Sequence, residues 1–140
     1  MQAMEFHHVG VAVRNLSDSA TAFRSLLGYE IVSGPFDDPI QKVSVCFLSR
    51  GGADPWVELV APLGQNSPVD RILKRGGGTY HLCYQVQDIQ ATIRHMVAQR
   101  SILISGPTPA VAFEMRSIAW LMTRPGLLVE LVQAPAAQAL

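Results

Sequence analysis

The chain has 140 residues, 49% of them hydrophobic and 16% charged, with eleven basic side chains balanced by eleven acidic ones. That is enough chain for one buried core, too apolar for a disordered segment, and too evenly charged to offer nucleic acid or an anionic membrane a basic surface. The opening MQAMEF pairs no basic stretch with an apolar one, no run approaches the ~20 apolar residues of a bilayer span, and Cys46 and Cys83 lack CxxC spacing, so a reduced cytoplasmic setting is expected.

In chain order, FHHVGVAV (6–13) reads as a strand. Leu16, Ala20, Phe23 and Leu27 then recur at helical spacing, with Ser17 or Asp18 as the expected cap. Strand-like runs follow at 29–33, 43–49 and 56–61, with Gly51-Gly52 as the turn between the last two. The connection PLGQNSPVDRILKRGGGT predicts a short helix after Ser67, opened by Pro68 and ended by the glycines 76–78, acting as a hinge. A second strand–helix unit comes next: 79–86, then Ile89, Ile93, Met96 and Val97 on one helical stripe with His95 on its solvent side. Three more runs, 102–105, 117–122 and 127–133, are punctuated by Pro125-Gly126, and APAAQAL (134–140) reads as a frayed tail.

The two halves match each other. Residues 6–31 laid over 79–104 put His8 on His81, Val13 on Val86, Asn15 on Asp88 and Leu16 on Ile89; WVELVAP (56–62) over LVELVQAP (128–135) puts Glu58 on Glu130. The chain is therefore expected to be one α+β domain, 1–140, of two βαβββ modules at about 5–62 and 79–134, joined by a linker at 63–78.

Strand alternation assigns faces. His8 shares a face with Gly10 and Ala12, and His81 shares one with Cys83 and Gln85, while the branched residues between them suit packing against helices. Glu58 and Glu130 each interrupt a strand of Val and Leu, where a carboxylate is costly to bury unless it is paired or bound to a cation. A His and a Glu at matching places in each repeat predict a shared ligand set: His8, Glu58, His81 and Glu130 around one divalent metal ion, with Zn, Co, Ni, Fe and Mn all suited to such ligands. His7, by alternation, is expected to face the helices.

Together these features resemble the vicinal oxygen chelate superfamily, which includes glyoxalase I, methylmalonyl-CoA epimerase, extradiol dioxygenases and bleomycin-resistance proteins. HVGVAVRNL with LLGYE, VSVCFLS, VELVAPLGQNSPVDRILKRGGGTYHL and GLLVEL are most similar to the epimerase branch. The resemblance implies a curved, cup-shaped mixed sheet with helices on its outer face, the same four residues as metal ligands, and a homodimer. The run GPTPAVAFEMRSIAWLMTRPGLLVEL departs from that branch in lacking a glycine pair and a His-Pro-Lys stretch, which leaves Arg116 and Arg124 as candidate cations for an anionic group, Arg124 in a turn.

The expected activity is proton abstraction next to a carbonyl, by a metal-dependent epimerase or isomerase of an acyl thioester, with Glu130 as first-choice base and Glu58 as its counterpart. Two alternatives are a glyoxalase I-like lactoylglutathione lyase acting on a hemithioacetal, and a non-catalytic binding protein whose Trp56 and Trp120 stack on a planar ligand.

Overall fold

The computed structural model describes residues 3–136, so the last four residues of the expected frayed tail lie outside the described part. Ala134, at its start, is buried, and its N–H donates to the Val86 carbonyl. The described residues form β1 (Met4–Ala12), α1 (Leu16–Leu27), β2 (Glu30–Asp38), β3 (Val43–Ser49), β4 (Trp56–Pro62), α2 (Asp70–Lys74), β5 (Gly78–Val86), α3 (Ile89–Ala98), β6 (Ile102–Pro109), β7 (Ser117–Met122) and β8 (Leu128–Gln133), with a single 3-10 turn at Val111–Phe113. One eight-stranded mixed sheet results, in the order β2-β3-β4-β1-β5-β8-β7-β6, curled into a half-barrel.

The repeat explains that order. In each module the first strand pairs in parallel with the last, β1 with β4 and β5 with β8, and the other two follow antiparallel. The modules join where β1 meets β5 antiparallel. One chain thus supplies the whole cup, with each module's first strand at its centre.

Alternation divides the side chains between the outer face and the cup. Val11, Cys46, Leu48, Val57 and Leu59 pack outward against Leu16, Ala20 and Phe23 of α1. In the second module Val86, Ala119, Leu121, Val129 and Leu131 pack with Ile89 and Ile93 of α3. Asn15 caps α1: its backbone is extended and its side-chain oxygen accepts from the Asp18 N–H, so the N-cap lies before both expected caps, Ser17 and Asp18. Asp88 caps α3 in the same way through the Ala91 N–H.

Three segments differ from expectation. β2 and β6 run past the expected strands, through Pro35 and Pro107, and an edge strand tolerates a proline because its outward side pairs with nothing. Gly34 and Gly106 precede them at φ 94°, where a Cβ would stand 3.0 Å from the Val45 carbonyl oxygen and 2.5 Å from that of Ile118. The linker is packed rather than hinge-like. Its helix begins only at Asp70, and buried Val69 and Leu73 seat it on Ala12, Val43, Val45 and Val60 of the cup.

The two ends of the sheet meet across the cup. Asp38 accepts from the Ile40 and Gln41 N–H groups of its own hairpin and from the Val111 N–H of the other module, and Gln41 Nε2 donates to Thr108 Oγ1.

Candidate metal centre

At the base of the cup β1 carries His8, β4 Glu58, β5 His81 and β8 Glu130, and all four are buried. The register dictates their meeting. Gly10 lies opposite both Glu58 and His81, while Cys83 lies opposite both His8 and Glu130. His8 Nε2 is 3.3 Å from Glu58 Oε1 and 3.3 Å from Glu130 Oε1; His81 Nε2 is 3.4 Å and 3.3 Å from the same two oxygens. The two Nε2 atoms are 3.1 Å apart.

Donors bound to one ion at roughly 2.0–2.2 Å lie roughly 2.8–3.6 Å from each other, and the quartet has that spacing. Its chemistry agrees. Glu130 Oε1 is buried and accepts no well-directed hydrogen bond despite two imidazoles beside it, so four lone-pair atoms converge where a cation would satisfy them. Burial lowers the His8 pKa, but the Glu58 charge and the closeness of both carboxylates outweigh it and raise it to about 9. Burial raises the Glu130 pKa, and the two imidazoles outweigh that and bring it down to about 2. His81 moves up and Glu58 down for the same reasons.

Gly10 makes room for this centre. A Cβ there would stand 1.9 Å from His81 Cε1 and 2.1 Å from Nδ1, so the imidazole lies directly over the glycine. A glycine inside a strand is the sequence signal for such an approach.

Two β-bulges bring in residues that alternation places elsewhere. On β1, Phe6 is opposite Tyr84 and His8 opposite Cys83, one residue too many on the β1 side. The extra residue turns His7 into the cup beside His8 instead of toward the helices. Its ring packs on Phe47, Trp56 and Phe113 at 5.8, 5.4 and 5.3 Å, and its Nδ1 is 2.8 Å from His8 Nδ1. Burial, then the neighbouring His8, lowers the His7 pKa to about 4, so the ring is neutral near pH 7. On β5 the extra residue is Tyr80, whose ring stands edge-on to His81 at 4.4 Å. Burial, then the Glu58 and Glu130 charges, pushes its phenol well up.

Above the quartet lies a cavity of about 490 Å³, walled mostly by apolar side chains, including Val45, Val60, Phe113, Ile118 and Trp120, with Tyr80 beside the two glutamates and Arg71 of α2 also on its wall. Trp120 stands 4.8 Å from His81, whereas Trp56 packs on His7 and Phe47. Arg116 is spent on the fold: it donates to the Phe113 and Gln133 carbonyls and to Gln85.

The family model of the Glyoxalase/Bleomycin resistance protein/Dioxygenase superfamily matches residues 7–134. The chain belongs to that superfamily. Within it, the chain is 32% identical over 131 residues to an ethylmalonyl-CoA/methylmalonyl-CoA epimerase of Cereibacter sphaeroides, covering 91% of this chain and 96% of that protein. It is 30% identical to the mitochondrial methylmalonyl-CoA epimerase of Homo sapiens over 91% of this chain and 73% of the relative. The crystal structure of methylmalonyl-CoA epimerase from Mycobacterium tuberculosis superposes with a TM-score of 0.81 at 28% identity, over 94% of this chain and 89% of that one. These superfamily members are enzymes, and their half-barrel is the fold described above.

Proposed function

We propose that this protein is a metal-dependent epimerase of a 2-substituted malonyl-type acyl-CoA thioester, with His8, Glu58, His81 and Glu130 holding the ion. The observation that carries this reading is the buried two-His, two-Glu cluster beneath an apolar cavity, in a chain whose relatives are named as epimerases of ethylmalonyl-CoA and methylmalonyl-CoA. A divalent ion bound there supplies Lewis-acid polarisation of a carbonyl oxygen.

The chain's own groups do the rest. Glu130 takes the proton from the carbon between the two carbonyl groups, for which its carboxylate must loosen from the ion, and Glu58 faces the substrate from the other module. Two carboxylates related by the approximate two-fold of the repeat are placed to take a proton from one face and return one to the other. The apolar walls exclude water and so strengthen the electrostatic interactions inside. The quartet and the cavity walls named above come from one chain, and the homodimer is part of the proposal as an assembly.

The test is deuterium wash-in at the acidic carbon and epimerisation of methylmalonyl-CoA and ethylmalonyl-CoA, for wild type and Glu130→Gln. Wild type should do both, and the variant should lose 10²–10⁴-fold in rate while retaining metal. Turnover of the methylglyoxal–glutathione hemithioacetal alone would replace this reading with the lyase.

A further inference from the structure

In the reaction just proposed charge develops on the thioester carbonyl oxygen as the proton departs, and a hydrogen-bond donor from the chain, placed where that charge appears, would add to the polarisation an ion supplies. Few polar groups on the cavity wall are free to do so. Asp38 is occupied by three backbone N–H groups, and the Gln41 amide donates to Thr108. Arg71 is exposed on α2. Ser105 pairs with Trp120, which in turn pairs with Glu130, so it lies two strands from the carboxylate, about 10 Å at ordinary strand spacing.

Tyr80 is different on each count. The β5 bulge turns it into the cup immediately before a candidate ligand, and its ring contacts His81. It lines the same cavity as Glu58 and Glu130. It packs against the apolar cluster that holds Val43, Val45, Val60, Val69 and Leu73, which limits the freedom its ring loses on binding. A phenol is protonated at neutral pH, so a tyrosine on the cavity wall offers a guest a donor.

We propose that Tyr80 is a further catalytic residue of this site, donating a hydrogen bond to the substrate's thioester carbonyl oxygen as that oxygen becomes an enolate. The C–H bond breaks, its proton goes to Glu130, and the electron pair moves onto the oxygen. Tyr80 keeps its own proton throughout. The inference rests on the epimerase reading above and adds a residue to it.

Tyr80→Phe tests it, since the ring and its contacts with His81 and the valines remain and only the hydroxyl is lost. The variant should hold metal at the wild-type level and exchange the acidic carbon's proton 10–100-fold more slowly, mainly in kcat. It should also bind a planar, anionic nitronate analogue of the acyl-CoA at least 10-fold more weakly, while its affinity for the saturated acyl-CoA stays within twofold. Exchange and analogue binding within twofold of wild type would overturn the assignment and leave the epimerase reading intact. Loss of metal in the variant would overturn it too, by making Tyr80 a support for His81. If wild type itself neither exchanges the proton nor binds the nitronate, the epimerase reading fails and this inference falls with it.

Discussion

The two modules reach the same end by unequal means. Each places its His on the first strand and its Glu on the last, and each inserts one bulge residue just before or beside the His, but the local solutions differ. In the first module His7 contacts His8 through the two Nδ1 atoms at 2.8 Å; in the second, Tyr80 lies edge-on to His81, and His81 Nδ1 is buried with no hydrogen-bond partner. Opposite His81 stands Gly10, and opposite His8, at the matching position, stands Cys83, fully buried. A duplicated unit fixes where the ligands converge, and each copy then tunes its own surroundings. One imidazole is oriented by a hydrogen bond, the other by shape.

The largest expected effect tests orientation by shape. Gly10→Ala drives a methyl group into the His81 ring, at a point 1.9 Å from Cε1, and the ring must leave the quartet. Metal affinity should fall by more than ~100-fold, a loss of the order expected when a ligand is displaced, so that the variant resembles His81→Ala in elemental analysis. Cys83→Ala, the matching change in the other module, only deletes a buried sulfur and should keep its metal while melting a few degrees lower. Equal metal content in the two variants would show that Gly10 does not position His81.

A smaller effect separates the two histidines by their hydrogen bonds. For His8 Nε2 to present a lone pair to a cation, its proton sits on Nδ1 and is donated to His7 Nδ1. Removing an outer partner of this kind typically costs 10–100-fold in metal affinity. His7→Ala should therefore weaken metal binding by about 10-fold or more, and His7→Asn, whose amide oxygen can accept in place of Nδ1, should recover most of it. Tyr80→Phe should leave the affinity unchanged, since His81 Nδ1 makes no such bond. Competition with a chromogenic chelator reads all three.

Much of this architecture is legible in the sequence because it is periodic. The repeat, the helical stripes, a His on each module's first strand and a Glu among the Val and Leu of its last follow from spacing and residue type, and they lead to four residues that the fold does bring together. The bulges are not legible. A single inserted residue reverses the alternation locally, so His7 reads as helix-facing although it enters the cup, as Tyr80 does at the matching bulge of β5. The doubled Ser-Gly-Pro of residues 33–35 and 105–107 is visible in the sequence and marks the matching bends of β2 and β6; proline in a strand-like run instead shortens the expected strand. The packing of the linker is hidden for a different reason. Val69 and Leu73 stand at helical spacing but are too few to form a stripe, and only the valines of the cup reveal that they are covered.

The smallest effect concerns the helices, where the modules differ most quietly. α3 buries Ile89, Thr92 and Ile93, whereas no residue of α1 is fully buried and Leu26 is 79% exposed. Both depend on an N-cap of the same form, Asn15 and Asp88, and replacing either by Ala should cost about 1 kcal/mol. The consequence should differ in kind. A helix whose apolar face is firmly packed opens only with its module, so Asp88→Ala should lower the global denaturation midpoint. α1 is held by a shallower contact and can fray by itself, so Asn15→Ala should appear as faster amide exchange confined to residues 16–27, with a smaller shift of the midpoint. Matching midpoint shifts with no local exchange at α1 would mean that the first module's helix is as strongly coupled to the sheet as the second's, despite its exposure.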